Sequence, residues 1–179
     1  MSRKLDYVVS GTSYMRFSNP GIAKDETNSQ IINMLIDKLV TDVHSHKFSM
    51  LYNGHTESSF GDRFTAYKDH VHEIHADSGG LQIVTQGMTI TDELKDKVYE
   101  NQAEWADVGM CFDEIPVVLT GDRSDRNDTK ARFFDFENYE ELARKTGRNV
   151  KRQLEIFDKK NSKCKPYIIP QGNCVDTYL

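Results

Sequence analysis

The spacing of apolar residues changes several times along the chain, and each change marks a new element. KLDYVVS (4 to 10) reads as a short strand, followed by the turn-rich GTSYMRFSNPGI with its Asn19-Pro20-Gly21 breaker. From Glu26 to about Val43, Ile31, Ile32, Leu35, Ile36, Leu39, Val40 and Val43 recur at helical spacing and predict an amphipathic helix. KFSMLYN (47 to 53) and VHEIHAD (71 to 77) read as strands, which puts Asp77 at or just past a strand's carboxyl end. Between Asp92 and Val108 a helical stripe runs through Leu94, Val98, Asn101 or Gln102, Trp105 and Val108, with Thr91 as its N-cap. GMCFDEIPVV then supplies a short strand ending near Asp113, and TGDRSDRNDTKAR (120 to 132) predicts a solvated loop. A long helix follows from about Glu137 to Lys160, its inner side marked by Tyr139, Leu142, Ala143, Val150, Leu154 and Phe157. Gly147 weakens its middle by about 1 kcal/mol relative to alanine. Finally, Tyr167, Ile168 and Ile169 suggest a buried strand before Gln171-Gly172.

Strands alternating with long amphipathic helices predict a parallel α/β plan, because parallel neighbours need a crossover. A single domain over residues 1–179 is the expectation for this length, without internal repeats. No segment approaches the roughly 20 apolar residues that span a bilayer or looks like a secretion signal, so the expectation is a soluble cytoplasmic protein. Three widely spaced cysteines, Cys111, Cys164 and Cys174, argue against a disulfide framework and against a self-contained thiolate metal site. A net charge of -5 disfavours a non-specific nucleic-acid coater. It leaves room for local basic patches, such as Arg123, Arg126, Lys130 and Arg132, although these chiefly read as a water-facing run.

Candidate chemistry gathers at the strand ends: Asp77 with Ser78-Gly79-Gly80, Asp113, and Gln171 with Gly172. In a barrel of parallel strands the carboxyl-terminal ends converge on one site. Gly79 and Gly80 admit positive φ or a close backbone approach, and a solvated turn is the bland alternative. Asp113 and Glu114 would point to opposite sides, leaving Asp113 as an inward acceptor. Gln171 offers both a donor and an acceptor. Met110 and Phe112 are candidates for covering the face of a flat ligand. The six histidines lie between positions 44 and 75. His44-x-His46 and His70-x-His72, with His75, therefore open a second reading, a histidine-metal-dependent hydrolase completed by Asp77 or Asp113. Capping and surface roles are the ordinary alternative. Gly79-Gly80 lacks the lysine and spacing of a phosphate-gripping loop.

Three blocks, ADSGGLQ (76 to 82), GMCFDEIP (109 to 116) and YIIPQGN (167 to 173), together resemble the tRNA-guanine transglycosylase family in their order and separations, over roughly residues 70 to 179. The resemblance implies a TIM-barrel enzyme that exchanges guanine in a polynucleotide for a 7-deazaguanine base, on tRNA or, in a related phage-associated branch, on DNA. By likeness, Asp77 holds the base and assists proton transfer, and Ser78, Gly79 and Gly80 shape that wall. Asp113 matches the aspartate that binds the base's N–H edge, and Gln171, with Gly172, the glutamine that reads its carbonyl. In the family a later aspartate attacks the sugar's anomeric carbon to give a covalent intermediate. Neither that aspartate's block nor the cysteine-rich zinc site is matched before Leu179, so no metal ligand or cofactor is assigned in this chain. The expectation is the first half of a (β/α)8 barrel, completed by a second polypeptide or a further copy. A non-catalytic base-binding subunit is the alternative.

Overall fold

The computed structural model describes residues 8–9, 49–55, 71–85, 88–114, 117–120, 130–133 and 139–169. The helix expected over 26 to 43 lies outside them, as do His44, His46, His70, Arg123, Arg126, Gln171, Gly172 and Cys174. Strand β1 is Val8–Val9, β2 Ser49–Asn53, β3 Ile74–Asp77 and β4 Val108–Met110; β5 (Val117–Thr120) and β6 (Lys130–Phe133) follow, then β7, Lys165–Tyr167. The helices are α1 (Gly80–Thr85), α2 (Asp92–Trp105) and α3 (Tyr139–Lys159).

Five strands form one parallel sheet in the order β1-β2-β3-β4-β7. Each strand therefore lies beside its predecessor in that sheet, and α1 and α2 carry the chain from β3 to β4 while α3 carries it from β4 to β7. This is the parallel α/β plan with crossover helices that the alternating periods predict. No helix among the described residues is long and apolar enough to cross a membrane.

One sheet face packs on the helices. Met50, Tyr52, Ile74 and Ala76 form a buried cluster with Val71, against which Ala106 at the end of α2 packs. A second cluster joins Ile83, Val98, Tyr99, Phe112, Phe157 and Cys164. Full burial of each large side chain there contributes roughly 1.5–3 kcal/mol. Alternation puts Leu51, Asn53, His75 and Asp77 on the opposite face, where all four are only partly buried.

Thr91 caps α2 as expected, its hydroxyl accepting from the Leu94 N–H at 3.3 Å. Both Asn101 and Gln102 are buried, so the stripe is wider than one polar position. The inner face of α3 differs from the expected one: it buries Tyr139, Asn149, Gln153 and Phe157, while Ala143 and Leu154 are exposed. Gln153 turns inward to the Gly109 carbonyl of β4 and Asn149 to the Phe112 carbonyl just beyond it. The solvated loop expected at 120 to 132 is corrected at both ends: Thr120 belongs to β5 and Lys130, Ala131 and Arg132 to β6, which pair antiparallel as a two-stranded ribbon between β4 and α3 in chain order. The final strand is another correction. β7 is exposed throughout, Tyr167 to 58%, and Ile168 just after it to 53%; among the described residues β7 is an edge strand of the sheet.

Candidate active site at the carboxyl ends of the parallel strands

Asp77 is the last residue of β3. Its carbonyl accepts from the Gly54 N–H at 2.9 Å, which ties the end of β3 to the end of β2. A side chain at Gly54 would put its Cβ 2.9 Å from that carbonyl, so the two strand ends meet this closely only around glycine. Burial pushes the Asp77 carboxyl above its ordinary value, and the backbone N–H groups of Ser78 and Gly79 partly oppose the shift. A carboxyl held this way accepts or returns a proton nearer neutrality than an exposed one.

The chain then turns directly into α1, a strand-to-helix connection and not a hairpin. Gly79 has φ +75°, and a Cβ there would lie 2.6 Å from Asn53 Oδ1 and 3.0 Å from His55 Cβ. Positive φ and close approach thus both require glycine at this position. Gly80 differs, since an added Cβ would make ordinary contacts, the nearest at 3.5 Å from Phe112 Cδ1. Ser78 is buried, and its hydroxyl accepts from the Gly80 N–H at 3.3 Å.

Asn53 is the site residue that the sequence reading missed. It is the register partner of Asp77, and its Oδ1 accepts from the His55 N–H at 3.0 Å. The available signal was position: Asn53 ends the strand before the one that Asp77 ends.

Strand β4, beside β3, ends at Met110, at the register position next to Asp77. Asp113 follows three residues later and is partly buried. Strand alternation does not extend to Asp113 and Glu114, since β4 ends at Met110; Glu114 turns to the helices, its N–H donating to Thr146 Oγ1 at 3.0 Å and its carboxylate accepting from Asn149 Nδ2 at 3.1 Å. Phe112, expected as a ring-face contact, is 1% exposed. Its ring meets Tyr99 edge-on at 5.7 Å, so here it is a core residue that backs the loop at Gly80. Gln171 follows β7, the next strand of the sheet, by four residues. Strands β3, β4 and β7 are consecutive neighbours.

Other candidates separate from this edge. His75 shares the face of Asp77, but its Nε2 lies 3.3 Å from Glu73 Oε2 on the side away from the loop, and His72 is exposed. Among the described residues no group of three His, Cys, Asp or Glu side chains could hold a metal ion. Burial, with the nearby Asp113 charge, pushes the Cys111 thiol up to about 11, and burial pushes Cys164 up to about 12. Both are protonated at neutral pH and pack as small apolar groups. Comparison with models of known families, with curated proteins and with solved structures finds no match to this chain.

Proposed function

We propose that this chain supplies the guanine-type base pocket of a base-exchange glycosyltransferase acting on tRNA or DNA, as the first half of a (β/α)8 barrel. The observation that carries the reading is that Asp77 ends β3 and Asp113 follows the end of the adjacent parallel strand β4 by three residues, in blocks that resemble the transglycosylase motifs. Two carboxylates at one edge suit an aminopyrimidinone, whose N1–H and 2-amino groups donate while its carbonyl accepts from an amide such as Gln171. The raised carboxyl of Asp77 suits a group that passes a proton to the departing base and takes one from its replacement. In that chemistry the glycosidic C–N bond breaks as a carboxylate oxygen bonds to the anomeric carbon. The attacking carboxylate is assigned to a further polypeptide, not to Asp77. An incoming 7-deazaguanine then displaces it.

The half-barrel part of the proposal draws support from the sequential strand order and from the partly exposed sheet face opposite the helices. Further strands would cover that face in a closed barrel. The test incubates the purified chain, alone and with candidate partner polypeptides, with labelled guanine and either tRNA or DNA. Label entering one polymer supports base exchange, and guanine binding without label transfer supports the base-binding subunit. Neither binding nor transfer in any combination rejects the proposal.

A further inference from the structure

Pairing between β3 and β4 ends at Ala76 and Gly109, and from there the β4 chain is held by β7, whose Tyr167 carbonyl accepts from the Cys111 N–H at 2.9 Å, and by side chains of the helices. Gln153 Nε2 donates to the Gly109 carbonyl at 3.0 Å and Gln102 Nε2 to the Met110 carbonyl at 2.8 Å. The Phe112 N–H donates to the Tyr99 hydroxyl at 3.1 Å. Asn149 then spans Asp113. Its Nδ2 donates to the Phe112 carbonyl at 2.8 Å on one side and to the Glu114 carboxylate at 3.1 Å on the other. Lys95 Nζ donates to Asn149 Oδ1 at 2.7 Å. An ammonium only donates, so Lys95 forces the amide oxygen toward itself and the NH2 group toward both flanks of Asp113. Asn149 is 5% exposed, and the Lys95 side chain 12%.

We infer that Asn149, oriented by Lys95, is a positioning residue that sets the direction of Asp113 toward the base edge. The ligand side of this inference rests on the base-pocket reading; the mechanical side does not. A carbonyl left buried without a donor is costly, so a chain freed from Asn149 will swing its Phe112–Glu114 segment toward water and carry Asp113 with it.

The test compares the unchanged chain with Asn149→Ala and with the milder Lys95→Met, which keeps the fold accessible should the first variant fail. One readout is the preference for guanine over hypoxanthine, which lacks the 2-amino group, measured by calorimetric titration. The preference should fall about tenfold in Asn149→Ala, the scale of one charge-assisted hydrogen bond, and in the same direction in Lys95→Met. A residue that merely stabilised the fold would weaken both ligands together. The second readout is amide hydrogen exchange without ligand. It should quicken at Phe112, Asp113 and Glu114 while Ile74 to Asp77 stay protected. Unchanged preference, or exchange that quickens everywhere equally, overturns the inference. Absence of guanine binding by the unchanged chain overturns the base-pocket reading, and exchange alone then decides whether Asn149 holds the Asp113 segment.

Discussion

Replacing Gly79 by alanine should cost far more than the same change one residue later. At Gly79 the backbone has φ +75°, where an L side chain costs roughly 1–2 kcal/mol. The new Cβ would also lie 2.6 Å from Asn53 Oδ1, so the amide must move and give up its bond to the His55 N–H, about 1 kcal/mol more. The sum is about 2–3 kcal/mol. For a chain of this size it corresponds to a fall of about 4–12 °C in melting temperature. At Gly80 the φ is not positive and the nearest contact is 3.5 Å, so Gly80→Ala should be neutral or stabilise the start of α1 by up to about 1 kcal/mol. Urea unfolding of both variants, with unchanged m values, reads the difference. Unfolding free energies equal within about 0.5 kcal/mol would show that Asn53 and the left-handed turn do not make Gly79 obligatory.

Asp77→Asn should be at least as stable as the unchanged chain at neutral pH, since a carboxyl raised by burial favours its protonated form in the folded state. The unchanged chain therefore loses stability as pH rises from the ordinary carboxylate value through the raised one, and the variant does not. Denaturation midpoints across that range test this, and parallel curves would contradict it. Gly147→Ala should stabilise by up to about 1 kcal/mol, because an added Cβ there meets nothing within 4 Å on an exposed stretch of α3; calorimetry checks it. Cys111 and Cys164, with thiols pushed up to about 11 and about 12, should resist a thiol-selective reagent at pH 8 until the chain unfolds, as peptide mass spectrometry would reveal.

Much of the fold was legible because local chemistry and tertiary packing agree there. Thr91 caps α2, Asp77 ends β3, and the 3.6-residue period places α3 within one or two residues of its ends. Legibility failed where a demand from elsewhere overrode the apolar pattern. Asn149 and Gln153 are buried because carbonyls of β4 and of the residues after it need donors, and no periodicity of apolar residues carries that demand. Tyr167 and Ile168 look like core residues in sequence and stand exposed at the end of β7, an edge strand among the described residues, which is a property of sheet order. The β5–β6 ribbon was hidden because Lys130, Ala131 and Arg132 of β6 fall in a charged run that reads as a loop. For the site, Asp77 and its glycines were visible as a motif, whereas Asn53 acquires meaning only through its register with Asp77.

We propose that the carboxyl ends of β3 and β4 form one pocket for a guanine-type base. Titrating guanine into the isotope-labelled chain and following amide resonances tests it most directly. Shifts concentrated at Asp77 to Gly80, Asn53 and Phe112 to Glu114, abolished in Asp113→Asn, are the predicted result. No shifts, or shifts confined to residues away from that edge, would contradict it.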